Sequence, residues 1–311
     1  MHAPRRFRRG AFRVLRQRGA ARRALPNWGE GWARSGSSSA LPFRRAFGRS
    51  RIARRPAVAP SPPVLSLPRD PYARHDRADF AQEFLRRNLA YRAQWRAWRR
   101  GRSKSRSDAI RAALCARWGL VHPFDPELAV RDAPAFWAPE VAAQLVILRS
   151  ADDDFPGAAP LPALVPKRAR MSDGAHDLVL DHDGLRHRFR ILSDDLRAPL
   201  VIQLAPVASA LRAASADAAR RLIAGIGTAS AGSLMRPSTL QHRRLSLLLG
   251  MLDMAVAGAT TREIGVSLVY PWLTSMRAEA WKSTSERRRI QRLIGEARGL
   301  VEGGYRSLLG D

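Results

Sequence analysis

A mainly α-helical protein with a small sheet, a β-hairpin plus one further strand, is what this sequence predicts, on three observations. Apolar residues recur at helical spacing, as at Leu245, Leu248, Leu249, Leu252 and Val256, which fall on one side of a helix. One stretch alternates instead, with Leu178 and Leu180 before the turn residues His182, Asp183 and Gly184, and Leu185, His187, Phe189 and Ile191 after them. Between Thr239 and Asp311 the chain then closes on three successive helical segments, each with its own start or stop signal.

The first of these segments, Arg243 to Val256, carries the apolar stripe and stops at Gly258, a residue free to adopt positive φ. Thr260 and Glu263 have capping-box spacing, so a short helix is predicted over Thr261–Val269, burying Ile264 and Leu268. Ser283 and Glu286 repeat that spacing ahead of a basic helix running from Thr284 to about Val301. Its residues Ile290, Leu293, Ile294, Ala297 and Val301 share one side, and Ser285, Arg288 and Arg292 share the other, flanked by Arg289 and Gln291. This layout is that of a C-terminal helix-turn-helix variant, whose last helix would lie in a DNA major groove. The candidate DNA contacts are Thr261 and Arg262 on the second helix. Lys282, Ser283, Thr284, Ser285, Arg288, Arg289, Gln291 and Arg292 complete the set on the third and its approach. Arg and Gln suit base edges, and Ser and Thr suit phosphates or bases. A solvated basic face on a packed bundle is the competing reading. The connection from Tyr270 to Lys282 is also longer than the usual short turn.

Upstream, residues 1–66 mix arginine with Gly, Ser and Pro and cannot bury enough apolar surface to offset their ordering entropy, so disorder is predicted there. Such a tail is either a basic arm that grips phosphates or an extension outside the working protein. Residues 67–150 form a predicted helical N-terminal domain. An aromatic-rich helical stretch runs from Phe80 to Trp98, broken by Gly101, and after Asp108 comes a helix with Ile110, Leu114 and Trp118 that ends at Gly119. Its aromatics fit a core better than a base-stacking surface. An apolar run spans Val141 to Leu148, and a Pro-rich, acidic linker covers residues 151–175. Residues 176–311 hold the hairpin, a third strand over Leu200–Leu204, an Ala-rich helix over Ser209–Ile223, a flexible Gly225–Pro237 connection and the C-terminal helices.

The 311 residues carry a formal charge of +27, which points to a polyanionic partner. Residues 1–66 hold 16 Arg against 1 acid, 67–119 hold 14 basic residues against 5 acids, 120–200 hold 9 against 13, and 201–311 hold 15 against 8. The front and end are basic and the middle acidic. Cys115 is the sole cysteine, so no internal disulfide is possible, and it reads as a small core residue. No apolar run is long enough to cross a bilayer, and a cytoplasmic, nucleoid-associated protein with no membrane partner is expected.

Signals for catalysis are missing. Asp152, Asp153 and Asp154 have no second ligand cluster, and His182 and His187 straddle a turn without the company zinc needs. Gly225, Gly227 and Gly232 lack the Lys and Ser/Thr of a phosphate loop. No enzyme, cofactor or metal site is expected. A DNA-binding protein leads, with a protein-binding regulator using the same helices, or a nonspecific nucleic-acid binder driven by the arginine tail, as alternatives.

The motif of Glu83, Phe84, Leu85, Arg86, Arg87, Asn88 and Tyr91, then Arg117, Trp118, Gly119 and Leu120, then Phe124, Asp125 and Pro126, then Phe136, Trp137 and Pro139, resembles a proteobacterial family of transcriptional regulators. That family joins a transcriptional regulator-like N-terminal domain to a C-terminal helix-turn-helix variant formerly of unknown function. The ending Gly303, Gly304, Tyr305, Arg306, Leu308 and Leu309 is similar to the end of that second domain. The resemblance covers about residues 70–311. Gln82 stands where the family has Trp and Leu89 where it has Pro. It implies a sequence-specific activator of excision and transfer genes on integrative and conjugative elements. The implied partners are double-stranded DNA, RNA polymerase and a small antiactivator protein.

Overall fold

The computed structural model of the chain describes residues 70–310 apart from 102–103, 153, 173, 204–208, 228–231 and 276. The arginine-rich stretch 1–66 and parts of the acidic and glycine-rich connections lie outside the described residues.

The first helices are set by their caps. The Asp76 side chain accepts the Asp79 N–H at 2.8 Å and Asp79 accepts the Asp76 N–H at 3.2 Å, a reciprocal box that starts α1 (Arg77–Leu85). Asn88 then accepts the Tyr91 N–H at 2.9 Å and starts α2 (Leu89–Arg100). The aromatic-rich run expected as one helical stretch is therefore two helices, because a second cap interrupts it. The next helix, α3 (Lys104–Trp118), begins ahead of Asp108. It ends on Gly119 at φ +70, where a Cβ would lie 2.9 Å from Val141 Cγ2. Cys115 is buried as expected, and burial pushes its thiol up to about 11, well away from reactivity.

A ribbon of β1 (Leu120–His122) and β2 (Phe136–Trp137) leads into the main sheet, made of β3 (Leu145–Ser150), β4 (Arg168–Ser172), β5 (Ala175–His182), β6 (Leu185–Leu192) and β7 (Leu200–Gln203). The order is β4-β5-β6-β3-β7, with β3 parallel to β6 and the other pairs antiparallel. Five strands replace the three expected. The hairpin forms as anticipated, with Asp183 at φ 48 and Gly184 at φ 70 in its two-residue turn. The strand at Leu200, however, pairs with β3 and not with the hairpin. The missed β3 begins inside the unbroken apolar run, and its largely buried part, Leu145 to Leu148, shows no alternation to mark it. One face of the sheet buries Val146, Leu148, Leu178, Leu180, Phe189 and Ile191 against Ala219 and Leu222 of α4 (Ala210–Ile223). Through the opposite face, Arg186 and Arg188 reach Asp79 of α1 at 2.8 and 2.6 Å.

His187 on β6 is buried, stacks on Phe189 at 6.0 Å, and has no partner at Nε2 among the described residues. Burial, then the nearby His182, lowers its pKa to about 4. Since an unfolded histidine titrates near 6.5, the stability its neutral form contributes is full above that pH and is lost as pH falls toward 4. The ceiling is about 3 kcal/mol. Glu83, held at about 2 against burial by His75, Arg86 and Arg87, loses its own contribution only below about 4.5. His187→Leu should therefore flatten the fall in melting temperature between about pH 6.5 and 4.5. Parallel wild-type and variant profiles over that window would refute the assignment.

Ser238 and Gln241 form a capping box that starts α5 (Thr239–Val256) ahead of the Arg243 expected. Then come α6 (Thr261–Leu268), a 3-10 turn (Pro271–Ser275), α7 (Ala278–Ser283), α8 (Ser285–Glu302) and a closing 3-10 turn (Gly304–Leu308). The long connection before the basic helix thus holds two short helical pieces. Val256 and Leu268, expected in the buried stripes, are exposed instead, because each is the last residue of its helix and stands beyond the packed turns. Phe80, Phe84 and Leu85 of α1, Trp118 of α3, Leu248 and Leu249 of α5, Ile264 of α6, Ile290 of α8 and Tyr305 share one core. Polar ties reinforce it: Arg87 donates to both Asp253 oxygens at 2.7 and 2.8 Å, and Tyr305 Oη donates to the Trp118 carbonyl at 3.0 Å.

Candidate nucleic-acid interface

The start of α6 is fixed by Thr260, whose N–H donates to Glu263 Oε2 at 2.7 Å while its Oγ1 accepts the Glu263 N–H at 3.3 Å. The bonds from Thr260 hold the Glu263 carboxyl below its usual range. Gly258, at φ +87, lets α5 turn into this cap. From there α6 lays Gly265 against α8, where a Cβ would lie 3.2 Å from Ile290 Cγ1 and 3.3 Å from the Trp281 ring. The two helices cross almost backbone to side chain. Behind α8, Ile290, Leu293, Ile294 and Ala297 are buried, as their spacing predicts.

The polar side of α8 consequently faces solvent. Ser285, Arg288, Arg289, Gln291 and Arg292 are all exposed, and the three arginines have no ion pair among the described residues. Lys282 and Ser283 are exposed too, but on α7. Ser283 is not the cap of α8: its Oγ donates to the Ala280 carbonyl at 3.1 Å, closing α7. Thr284 is the cap, accepting the Arg287 N–H at 3.1 Å and donating to the Trp281 carbonyl at 3.0 Å. Its hydroxyl is thereby committed to the fold, because two consecutive helices meet there with no free linker between them. Thr261 and Arg262 are half-buried at the start of α6, beside α8.

Thr261 lines a cleft of about 350 Å³ with Ala255, Ala259, Ile264, Gln291, Ile294, Gly295 and Arg298. Arg298 is a further cation here that was not among the expected contacts, although helical spacing marks it, since it lies two turns beyond Gln291 on the same side. With Gly295 between them, Gln291 and Arg298 leave a groove in which guanidinium and amide donors flank the Thr261 end of α6. On the other flank Glu296 is occupied by Arg244 at 2.5 Å. The exposed face is thus strongly cationic, with Glu296 tied to α5 and Glu286 accepting the Ser285 hydroxyl at 3.0 Å.

Away from this face, His122, Asp177 and Ser172 meet, but Asp177 and Ser172 share Nε2 at 3.0 and 3.3 Å while Nδ1 has no partner among the described residues. A nucleophile relay needs the two ring nitrogens to serve two different groups. This cluster is a buried polar joint between β1 and the sheet. Among the described residues no group of three His, Cys, Asp or Glu is arranged to hold a metal, and no helix is long and apolar enough to cross a membrane.

Residues 68–123 match the family described as a proteobacterial transcriptional regulator-like domain. Residues 199–310, which include α5 through α8, match the family described as a T6SS transcription factor DNA-binding domain. No curated protein and no solved structure matches the chain. With these two modules in this order, the chain is a two-domain transcriptional regulator of the proteobacterial kind, with a DNA-binding domain at its C-terminal end.

Proposed function

We propose that the chain is a sequence-specific regulator whose α6 and α8 act as a helix-turn-helix variant, with α8 entering the major groove. The observation that carries this is the unpaired cationic face of Arg288, Arg289 and Arg292 on a helix whose other side is buried. Arg288, Gln291 and Arg292 are the base readers, and Thr261, Arg262, Lys282, Ser283 and Ser285 are the phosphate contacts. Thr284 holds the start of the reading helix. The family resemblance supports a role as activator of transfer and excision genes, with RNA polymerase and a small antiactivator as protein partners. The T6SS description of the matching DNA-binding family makes secretion genes the other target class, and mapping the bound sites across the source genome separates the two.

The test uses a duplex selected from a random pool, with a scrambled duplex as reference. Arg288→Ala and Arg292→Ala should each cost about 1 to 3 kcal/mol on the selected duplex and relax preference at one base position. Folding stability should stay within about 0.5 kcal/mol of wild type, as for exposed substitutions generally. Undiminished discrimination in both folded variants would move the reading to a protein-binding regulator that uses the same helices.

A further inference from the structure

The reading helix accounts for only part of the exposed charge. Residues 92 to 111 hold Arg92, Arg96, Arg99, Arg100, Arg102, Lys104, Arg106 and Arg111 against a single acid, Asp108. This stretch runs through α2 into α3, two helices that pack on each other. The helical hairpin is anchored at its base, where Tyr91, Leu114, Cys115 and Trp118 enter the main core. Beyond that base, no described residue between 92 and 113 is buried, so its far end stands clear of the protein.

The charges divide accordingly. Toward the base, Glu127 pairs with Arg92 at 2.5 Å and Arg96 at 3.4 Å, and along α3 Asp108 pairs with Arg111 at 3.7 Å. At the tip, Arg99, Arg100 and Arg106 are exposed and have no ion pair among the described residues. Arg99 lies 6.0 Å from the rings of both Trp95 and Trp98, which steer its guanidinium without neutralising it.

Fold stability explains only part of this pattern. Arg99 and Arg100 sit in the last turn of α2, where a cation suits the helix dipole. Arg106 sits in the first turn of α3, where the dipole disfavours a cation and no acid is present, and Asp108 just beyond pairs with Arg111. A residue that works against its own helix marks a requirement outside the fold. Among the described residues near the tip, Trp95 and Trp98 are half-buried with Arg99 over both rings, so the tip presents cations and not an exposed apolar centre. Phosphate binding needs only the charge.

We propose that the tip of the α2–α3 hairpin, through Arg99, Arg100 and Arg106, is a second DNA contact that grips the phosphate backbone flanking the bases read by α8. This rests on the reading of α8 given above. The hairpin is fixed to the far end of that helix, since Asn88 Nδ2 donates to the Val301 carbonyl at 2.8 Å. Along α8, Val301 stands nine residues beyond Arg292, about 14 Å at the helical rise. The hairpin base therefore lies beyond the turns of α8 that carry Arg288 and Arg292.

The experiment is a salt titration of the full chain carrying Arg99→Gln, Arg100→Gln and Arg106→Gln together, on selected and scrambled duplexes, with hydroxyl-radical footprints on the selected one. For every phosphate that the variant no longer neutralises, the slope of log K against log salt should fall in magnitude by about 0.9. Binding to both duplexes should weaken alike, and protection should vanish in the flank and persist at the centre. The triple lysine variant should restore the slope, which separates charge from packing on Trp95 and Trp98. An unchanged slope with an intact flank overturns the proposal, including the case where the glutamine variant loses only a protein partner. Failure of the α8 reading is distinguishable, because it shows as unaltered base preference in Arg288→Ala and Arg292→Ala whatever the hairpin does.

Discussion

Arg188→Leu is expected to remove about 3 to 5 kcal/mol of stability, a large share of the roughly 5 to 15 kcal/mol that holds an ordinary domain together. Arg188 is 2% exposed and donates to Asp76 at 2.5 Å and to Asp79 at 2.6 Å. Burial and the neighbouring Asp76 carboxylate push the pKa of Asp79 up, and Arg188 and Arg186 pull it back. Without Arg188, two buried carboxylates face each other and only Arg186, which bonds Asp79, remains to offset them. The same carboxylates form the reciprocal cap of α1, so the damage spreads from β6 to the start of that helix. Asp79→Asn in the Arg188→Leu background should recover part of the loss, because it removes a charge that no longer has its partner. Urea midpoints of the two single variants and the double variant decide the matter. Strictly additive losses would show that the pair is not coupled.

That ionic joint was not legible in the sequence. In β6 the residues Arg186, Arg188 and Arg190 alternate with apolar neighbours, a pattern that ordinarily marks a solvated face. Here the face is covered by α1 and β1, and Asp79, Asp181 and Asp177 receive the three guanidiniums. Only long-range packing reveals such pairs. What was legible is local. The α5 stripe, the Thr260 and Glu263 box and the Asp183-Gly184 turn each depend on residues within a few positions of one another. The exposed side of α8 was legible for the same reason, since one helical period sorts Arg288 and Arg292 from Ile290 and Leu293.

The two departures from the family motif find a physical place too. Gln82 is buried and bridges a loop, donating to the Ala133 carbonyl at 2.8 Å and accepting the Ala135 N–H at 2.6 Å. Leu89 is the first residue of α2 and is 81% exposed, a position where proline and leucine are both tolerated because the N–H has no helical partner.

Ile290→Ala should cost about 2 to 5 kcal/mol, because a fully buried side chain is cut back in a core that cannot wholly collapse. Its position makes the effect functional as well as structural. Ile290 is the residue on which Gly265 of α6 rests and it stands two residues past Arg288, so loosening it frees α8 to move relative to α6. Affinity for selected and scrambled duplexes should fall together near the lowered melting temperature, unlike the base-specific loss expected for Arg288→Ala. Gly265→Ala offers a compensating change. Its added methyl would meet Ile290 Cγ1 at 3.2 Å in the native chain, but the Ile290→Ala variant removes that atom and leaves only the Trp281 ring at 3.3 Å. Alanine is also favoured over glycine within a helix by about 1 kcal/mol. The double variant Gly265→Ala, Ile290→Ala should therefore melt above Ile290→Ala alone and regain duplex binding. If the double variant is instead less stable than either single variant, α6 and α8 do not brace each other through this contact.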